Sequence, residues 1–189
     1  MASSDYSQIK NEFNFEAQKV DGMFSKNHTE CDRLSIKFLK QWVTPEKDVL
    51  EIGMGMGNVI ENLPCNRFGL DLSEEMLKNS FIQNKWVGNM DELPFGNQTF
   101  DLVYMIMTFQ QSLDEKKTLS EMKRVCKDGG MMIIIDGDKD SLIGKGREKQ
   151  IKKGTWQMVG DAKWLSQKDF PEWRSGHLAP HIIWLMQIK

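Results

Sequence analysis

The segment with the clearest chemical signature is the turn Gly-Met-Gly-Met-Gly at residues 53–57, which directly follows a short apolar run, Asp48 to Ile52. Glycines at alternate positions leave backbone N–H groups uncovered and permit backbone angles that other residues avoid. Eighteen residues after Gly53, Asp71 stands near the end of a second apolar run, Phe68 to Leu72. A carboxylate there can accept hydrogen bonds from both hydroxyls of a ribose. Together the two features predict a site for a nucleoside-containing cofactor.

The glycine spacing separates two classes of cofactor. A dinucleotide fingerprint, Gly-x-Gly-x-x-Gly, would place its third small residue at position 58, which is occupied by Asn58. The Lys-Ser/Thr pair of a phosphate-binding P-loop does not follow the turn either. We therefore expect a nucleoside without a pyrophosphate, and an NAD-linked oxidoreductase is disfavoured.

The elements that must hold this turn alternate along the chain. After residue 44 the order is strand, helix, strand, helix, strand, then strand, helix, strand, which predicts a mostly parallel sheet. Thr29 and Ser73 each precede a helical pattern, as N-cap residues do. The expected bounds are helices over Glu30 to Val43 and Asp114 to Val125, a helix after Ser73 that buries Met76, Leu77 and Phe81, and strands over Asp48 to Ile52, Phe68 to Leu72, Lys85 to Val87, Phe100 to Met107 and Met131 to Ile135.

The pattern weakens after Asp136. The segment His181 to Ile188 predicts one strand at the edge of the sheet. A basic run is interpreted as a solvated helix face, and it comprises Lys139, Lys145, Arg147, Lys149, Lys152 and Lys153.

Composition excludes several classes of protein. The 189 residues are 40% hydrophobic and 28% charged, which fits one globular domain. The net charge of -2 gives no electrostatic reason to expect nucleic acid or membrane as a partner. The apolar runs are shorter than the roughly 18 residues of a membrane span, so we expect a soluble cytoplasmic protein. Cys31, Cys65 and Cys126 lack the spacing of metal ligands, so no metal site is expected.

Four segments together resemble the class I S-adenosylmethionine-dependent methyltransferases, in particular the "methyltransferase domain 11" type. They stand in the family's order over about ninety residues, and this shared context makes the resemblance more specific than one glycine turn. The segments are DVLEIGMGMG at 48–57, GLDLSEEML at 69–77, GNMDELPFGNQTFDLVYMIMTF at 88–109 and LSEMKRVCKDGGMMIII at 119–135.

The resemblance implies an α/β fold with a Rossmann-like, doubly wound and mostly parallel sheet. Relatives usually add a helix and a closing hairpin of two strands after the fifth strand, whereas only one strand is evident here, so the C-terminal region is expected to be reduced. We expect one domain over 1–189, made of a helical cap (1–44), a cofactor-binding core (45–136) and a substrate-side region with the closing strand (137–189).

The resemblance also implies the cofactor, S-adenosyl-L-methionine, with S-adenosyl-L-homocysteine as product. Glu51 would anchor the glycine turn, Asp71 would bind the ribose hydroxyls, and the stretch Tyr104 to Met107 would wall the sulfonium. The expected cofactor-binding residues are Glu51, Gly53, Met54, Gly55, Gly57, Asp71, Leu72, Met76, Asn89, Met90, Asp91 and Met105.

The expected reaction is methyl transfer to a small-molecule acceptor, whether a thiol, amine, hydroxyl or carbon. His28 and Gln110 are the candidate catalytic residues. Val20 and Met23 replace two aromatic residues that often line the family's cavity. That departure keeps a second hypothesis open, namely a protein that binds the cofactor but serves as a non-catalytic regulator or partner. A monomer and a homodimer are both compatible with the sequence.

Overall fold

The structure of the chain is a computed structural model, and it describes residues 5–18, 29–153 and 164–189. The candidate catalytic residue His28 lies outside these ranges, as do Val20 and Met23. The described α-helices are α1 (Tyr6–Ala17), α2 (Glu30–Leu39), α3 (Glu74–Lys78), α4 (Glu115–Val125) and α5 (Leu142–Lys152). The described strands are β1 (Asp48–Ile52), β2 (Asn66–Asp71), β3 (Asn84–Val87), β4 (Phe100–Ile106), β5 (Cys126–Gly137), β6 (Arg174–Ala179) and β7 (Ile182–Ile188).

The described strands form one sheet in the order β3-β2-β1-β4-β5-β7-β6. Strands β1 to β5 pair in parallel, and β7 is antiparallel to both β5 and β6. The prediction of a doubly wound, mostly parallel sheet is therefore confirmed. The strand order reverses between β1 and β4, and open parallel sheets bind ligands beyond the carboxyl ends of the strands at such a point.

Both faces of the central strands are buried, which is why these strands read as continuous apolar runs. Along β4, Val103 and Met105 belong to the core on one face, while Leu102 and Tyr104 belong to the core on the other. Because each face is covered, the register of the strands is fixed. This register places the carboxyl ends of β1, β2 and β4 side by side.

The predicted helix starts are confirmed by their caps. The Thr29 side chain accepts from the Asp32 N–H and Asp32 returns a bond to the Thr29 N–H, which makes a capping box. Ser73 likewise accepts from a backbone N–H in the first turn of α3. Asp114, predicted as the first residue of α4, is instead its N-cap, and its side chain accepts from the Lys117 N–H. The predicted extension of α2 to Val43 is wrong, because the helix ends at Leu39.

Two expectations about packing and topology are corrected. Phe81, predicted to point inward, lies beyond the end of α3 and is 76% exposed. The C-terminal segment contributes two strands rather than one, and β7 lies between β5 and β6 rather than at the edge. The edge strand β6 contains Gly176 and His177, and its register shifts after His177. Because it therefore has no continuous apolar run, the sequence pattern does not predict it.

Candidate functional site

A cavity of about 550 Å³ opens beyond the carboxyl ends of β1, β2 and β4. Its walls come from the glycine turn after β1, the end of β2, the loops after β3 and β4, and parts of α1, α2 and α5. Of the residues predicted to bind a cofactor, the cavity is lined by Glu51, Gly53, Met54, Gly55, Asp71, Leu72, Met76, Asn89 and Met90. Residues distant in the sequence therefore meet at one edge of the sheet.

The glycine turn has the backbone that its sequence suggests. Gly53, Gly55 and Gly57 all have positive φ, at 72°, 55° and 85°. The N–H groups of Gly53 and Met54 donate to the Leu70 carbonyl at 2.7 and 3.0 Å, which ties the turn to β2. At Gly53 a Cβ atom would lie 2.2 Å from Cγ2 of Thr108, so only glycine fits there.

Gly55 is glycine for a different reason. A Cβ atom added at Gly55 would meet no protein atom within 4 Å, because this residue borders the cavity. Gly57 does not line the cavity; its N–H donates to the Met54 carbonyl at 2.8 Å and closes the turn. The turn therefore offers open space at Gly55, and tight packing at Gly53 supports it.

Asp71 connects β2 to the glycine turn. Its Oδ2 accepts from the Gly55 N–H at 2.7 Å, and its Oδ1 accepts from the Ser73 N–H at 2.8 Å. Burial raises the pKa of Asp71 above its usual range, while these two bonds act to lower it. The carboxylate is thus held rigidly at the cavity wall, between the turn and the start of α3.

Glu51 is buried at the carboxyl end of β1. Its Oε2 accepts from the Tyr104 hydroxyl at 3.0 Å and from the Ile60 N–H at 3.2 Å. Burial raises the Glu51 pKa to about 8. The residue therefore links the chain on both sides of the glycine turn to β4, which agrees with the anchoring role predicted for it. Sequence reasoning missed Tyr104 as its partner, although a tyrosine in a buried strand needs a partner for its hydroxyl.

Helix α1 forms a wall of the cavity that the motifs did not indicate. Tyr6, Ile9 and Phe13 recur on one face of this helix and line the cavity. The Tyr6 hydroxyl donates to Oδ2 of Asp91 at 2.6 Å. Asp91 itself is buried outside the cavity lining and also accepts from the Thr118 hydroxyl. Asp91 thus fixes the position of α1 over the cavity.

The stretch after β4 divides between core and cavity. Met105 is fully buried in the core and does not line the cavity, whereas Ile106, Met107 and Thr108 do. Gln110 also lines the cavity, and its side-chain amide donates to the Met107 carbonyl at 3.1 Å. The alternation of side chains along a strand explains the division, because Met105 and Ile106 face opposite sides.

The interpretation of the basic run as a solvated helix face is wrong for two of its members, because Lys139 precedes α5 and pairs with Asp169 and because Arg147 is buried. Lys145, Lys149 and Lys152 are exposed on α5, but Arg147 is buried and lines the cavity. Its guanidinium carbon lies 4.8 Å from the centroid of the Trp164 ring, which also lines the cavity. The spacing of the basic residues does not by itself show which of their side chains is buried.

Two further surveys cover only the part of the chain that the structure describes. There, no group of three or more His, Cys, Asp or Glu side chains is placed to hold a metal ion. None of the described helices has both the length and the apolar character needed to span a membrane.

Known proteins are similar to this chain in sequence. Residues 50–134 match the family model of the methyltransferase domain. The chain is 33% identical over 165 residues to the uncharacterized protein MJ1123 of Methanocaldococcus jannaschii, covering 86% of this chain and 78% of that protein. It is 39% identical over 85 residues to a demethylmenaquinone methyltransferase of Bacillus cereus, covering 40% of this chain and 36% of that enzyme.

A solved structure extends the likeness to the fold. A Thermotoga maritima protein described as a SAM-dependent methyltransferase, possibly a histamine N-methyltransferase, superposes with a TM-score of 0.68 at 21% identity. The match covers 84% of this chain and 91% of that one. The family model, the relatives and the fold agree with the four sequence segments and with the cavity they build. The chain therefore belongs to the class I S-adenosylmethionine-dependent methyltransferases.

Proposed function

We propose that this protein binds S-adenosylmethionine in the cavity and transfers its methyl group to a small-molecule acceptor. The observation that carries the proposal is the meeting of the glycine turn and Asp71 in one cavity at the point where the strand order reverses. Its volume of about 550 Å³ lies within the range of about 300–1,000 Å³ that is usual for small-molecule sites.

The glycine turn has the open space that this cofactor needs. A cradle for a ligand needs a place where backbone is uncovered and no protein atom fills the space. Gly55 provides it, since a Cβ atom there would enter the cavity without touching the protein. The carboxylate of Asp71 stands beside that space, bonded to the Gly55 N–H. These features suit a ligand with a polar chain next to a ribose.

We assign a part of the cofactor to each group of residues that lines this side of the cavity. The backbone at Gly53 to Gly55 would hold the methionine part, and Asp71 the ribose hydroxyls. Leu72, Met76, Asn89 and Met90 would surround the adenine. Gly57, Asp91 and Met105 do not line the cavity, so we assign them support of the glycine turn, of α1 and of β4.

The chemistry places few demands on the protein. When bound, the cofactor would supply a methyl group on a positively charged sulfur. The acceptor would bond to the methyl carbon as the carbon–sulfur bond breaks, and S-adenosylhomocysteine would leave. The chain must align the acceptor and exclude water. A thiolate or an unprotonated amine reacts without a protein base, whereas an alcohol or a carbon acid needs one within hydrogen-bond reach. Ile106 and Met107 provide an apolar wall for this purpose. Gln110 has no titratable proton, so we assign it positioning of the acceptor.

Calorimetry with the purified protein tests the proposal. S-adenosylmethionine and S-adenosylhomocysteine should bind, and NAD should not. The substitution Asp71→Asn should weaken binding of both ligands about 30-fold, because a hydrogen bond to a charged group contributes on the order of 2 kcal/mol. Asp128→Asn is the matched control, since Asp128 is exposed and remote from the cavity.

The outcomes separate the two hypotheses that the sequence left open. Binding followed by methyl transfer to a thiol, amine or phenol supports the enzyme. Binding with no transfer to any acceptor class supports a non-catalytic regulator or partner. A folded protein that binds neither ligand, or an Asp71→Asn variant of unchanged affinity, contradicts the proposed site.

A further inference from the structure

The hairpin between β6 and β7 brings a histidine to the cavity. Strand β7 is antiparallel to β5 and pairs Ile182 with Gly137, so it begins beside the carboxyl end of β5. The turn at residues 180–181 therefore lies at the same edge of the sheet as the glycine turn. His181 stands in this turn and lines the cavity, and β1, β4 and β5 lie between β7 and the strand of Asp71. Since the cofactor is assigned to the β1 and β2 side, His181 borders the space left for the acceptor.

The backbone around His181 is fixed. The His181 carbonyl accepts from the Asp138 N–H at 2.9 Å, which ties the turn to the loop after β5. The next residue, Ile182, is buried and pairs with both Gly137 and Ala179. His181 itself is half-buried. Its imidazole is thus carried by a rigid turn at the cavity wall, and little further ordering would be needed for it to contact a ligand.

The His181 ring has no bonded partner in the part of the chain that the structure describes, where its nitrogens form neither a hydrogen bond nor an ion pair. His177, four residues earlier, differs in both respects. Its Nε2 lies 2.9 Å from Oδ2 of Asp138, and it does not line the cavity. An imidazole at a cavity wall without a structural partner can take a proton from a ligand, and histidine is the side chain that most often acts as a general base.

The carboxylates that line the cavity already accept bonds from the fold. Glu51 and Asp71 lie on the side assigned to the cofactor, and they accept from the Tyr104 hydroxyl and the Gly55 N–H. Asp32 lies near the start of α2, and its Oδ2 accepts from the backbone N–H of the N-cap residue at 2.9 Å. Hydrogen bonds to a carboxylate favour its charged form and so oppose protonation.

The other polar side chains of the lining are poor proton acceptors as well. Burial raises the pKa of the Cys31 thiol to about 11 and that of the Tyr6 hydroxyl above its usual range, so both keep their protons at neutral pH. The amide of Gln110 has no titratable group, and Arg147 offers only donors. Of the described residues that line the cavity, His181 is therefore the one best suited to act as a base.

We propose that His181 is the general base that takes the proton from a phenolic hydroxyl of the methyl acceptor. The inference rests on the proposed function, since it assigns a catalytic residue and an acceptor class to that same cavity. A phenol needs such a base, and its ring suits the apolar side chains of Ile106, Met107 and Trp164 that line the cavity. The hydroxyl proton moves to a ring nitrogen of His181 as the oxygen bonds to the methyl carbon. The carbon–sulfur bond breaks, S-adenosylhomocysteine leaves, and the imidazolium then releases its proton to solvent.

Binding tests the proton acceptor without catalysis. 2-Naphthol and its methyl ether, which cannot donate a hydrogen bond, are titrated by calorimetry into protein saturated with S-adenosylhomocysteine. We expect 2-naphthol to bind about five times more tightly than the ether, because only the hydroxyl can donate to His181. His181→Leu should abolish this preference. His181→Gln should keep part of it, since an amide oxygen also accepts a hydrogen bond.

Methyl transfer then distinguishes a base from a structural residue. The assay compares 2-naphthol with 2-naphthalenethiol at about pH 8, where the thiol ionises by itself and the phenol keeps its proton. Both His181 variants should methylate 2-naphthol at least about 100-fold more slowly than the wild type does, and the thiol at a similar rate. His177→Gln is the matched control, because it removes an imidazole of the same hairpin that lies outside the cavity lining, and it should leave both rates unchanged.

Several results would overturn the inference. They are equal affinities of the wild type for 2-naphthol and its ether, equal losses of both transfer rates in the folded His181 variants, and an unchanged rate with 2-naphthol in both variants. A loss specific to 2-naphthol in Asp32→Asn or His28→Gln, with His181→Gln fully active, would assign the base elsewhere. A wild type that methylates only the thiol, or neither compound, also overturns the inference but leaves the cofactor site standing. Failure of the wild type to bind S-adenosylhomocysteine would instead refute the proposed function, and this inference with it.

Discussion

Replacing Gly55 with alanine tests the location of the cofactor directly, because the added methyl group would enter the cavity and touch no protein atom. The backbone at Gly55 has φ of 55°, a conformation that costs an L-residue about 1–2 kcal/mol. The unliganded variant should therefore lose about that much free energy of unfolding. Urea denaturation in the absence of ligand measures this loss.

Gly55→Ala should also weaken the binding of S-adenosylhomocysteine, in addition to destabilising the fold through its backbone. If the cofactor fills the space beside Gly55, the methyl group overlaps it, and overpacking by one methyl group typically costs about 1–3 kcal/mol. This corresponds to an affinity for S-adenosylhomocysteine reduced between about 5-fold and 150-fold. Calorimetric titration of the folded variant measures the reduction.

Gly129 provides the matched control. It also has positive φ, at 76°, and a Cβ atom there would meet nothing within 4 Å. It lies in β5 near that strand's amino end and does not line the cavity. Gly129→Ala should therefore cost similar stability and leave affinity unchanged. Wild-type affinity in Gly55→Ala, or equal losses of affinity in both variants, would refute the assignment of the glycine turn to the cofactor.

Three further changes have defined outcomes. The Glu51 pKa is raised to about 8 from 4.5, so the folded state retains a proton that the unfolded state releases. The free energy of unfolding should therefore fall as pH rises from about 4.5 to 8, and Glu51→Gln should remove this part of the pH dependence. Urea titrations at several pH values measure it, and the same pH dependence in the wild type and the variant would contradict the prediction. Gly53→Ala should destabilise the protein by about 3 kcal/mol, more than Gly55→Ala, because the new Cβ would clash with Thr108 as well as strain the backbone. Thr108→Ala in the same chain should recover part of that loss in urea denaturation, and no recovery would exclude the clash as the cause. Tyr6→Phe removes the bond to Asp91 and should speed amide hydrogen exchange in α1 relative to α4, whereas unchanged exchange would show that the bond does not hold α1.

Local signals in the sequence predicted much of the fold and the positions of the glycine turn and of Asp71. The strand β1 was predicted to the residue, and the glycine turn after it has the positive φ angles that its composition suggests. Asp71 was placed correctly at the end of its strand, beside the turn. These predictions succeed because a buried parallel strand, a tight turn and a helix cap each depend on a few neighbouring residues.

Other features depend on which segments meet in space, and only the tertiary structure decided them. Phe81 follows an apolar helical pattern but lies past the helix end and stays exposed. The strand β6 has no apolar run and forms only because β7 offers it a paired edge.

The part of the cavity that is lined by Arg147 and Trp164 shows the same limit most clearly. Arg147 belongs to a basic run whose other helical members are exposed, and nothing in its local sequence marks it as buried. Its position is set by the close approach of α5 to the loop after β5 and by Trp164, which stands seventeen residues further along the chain. A glycine turn and a strand-end carboxylate can be recognised from local sequence, whereas the side chains that line the cavity beyond β5 are brought together by packing.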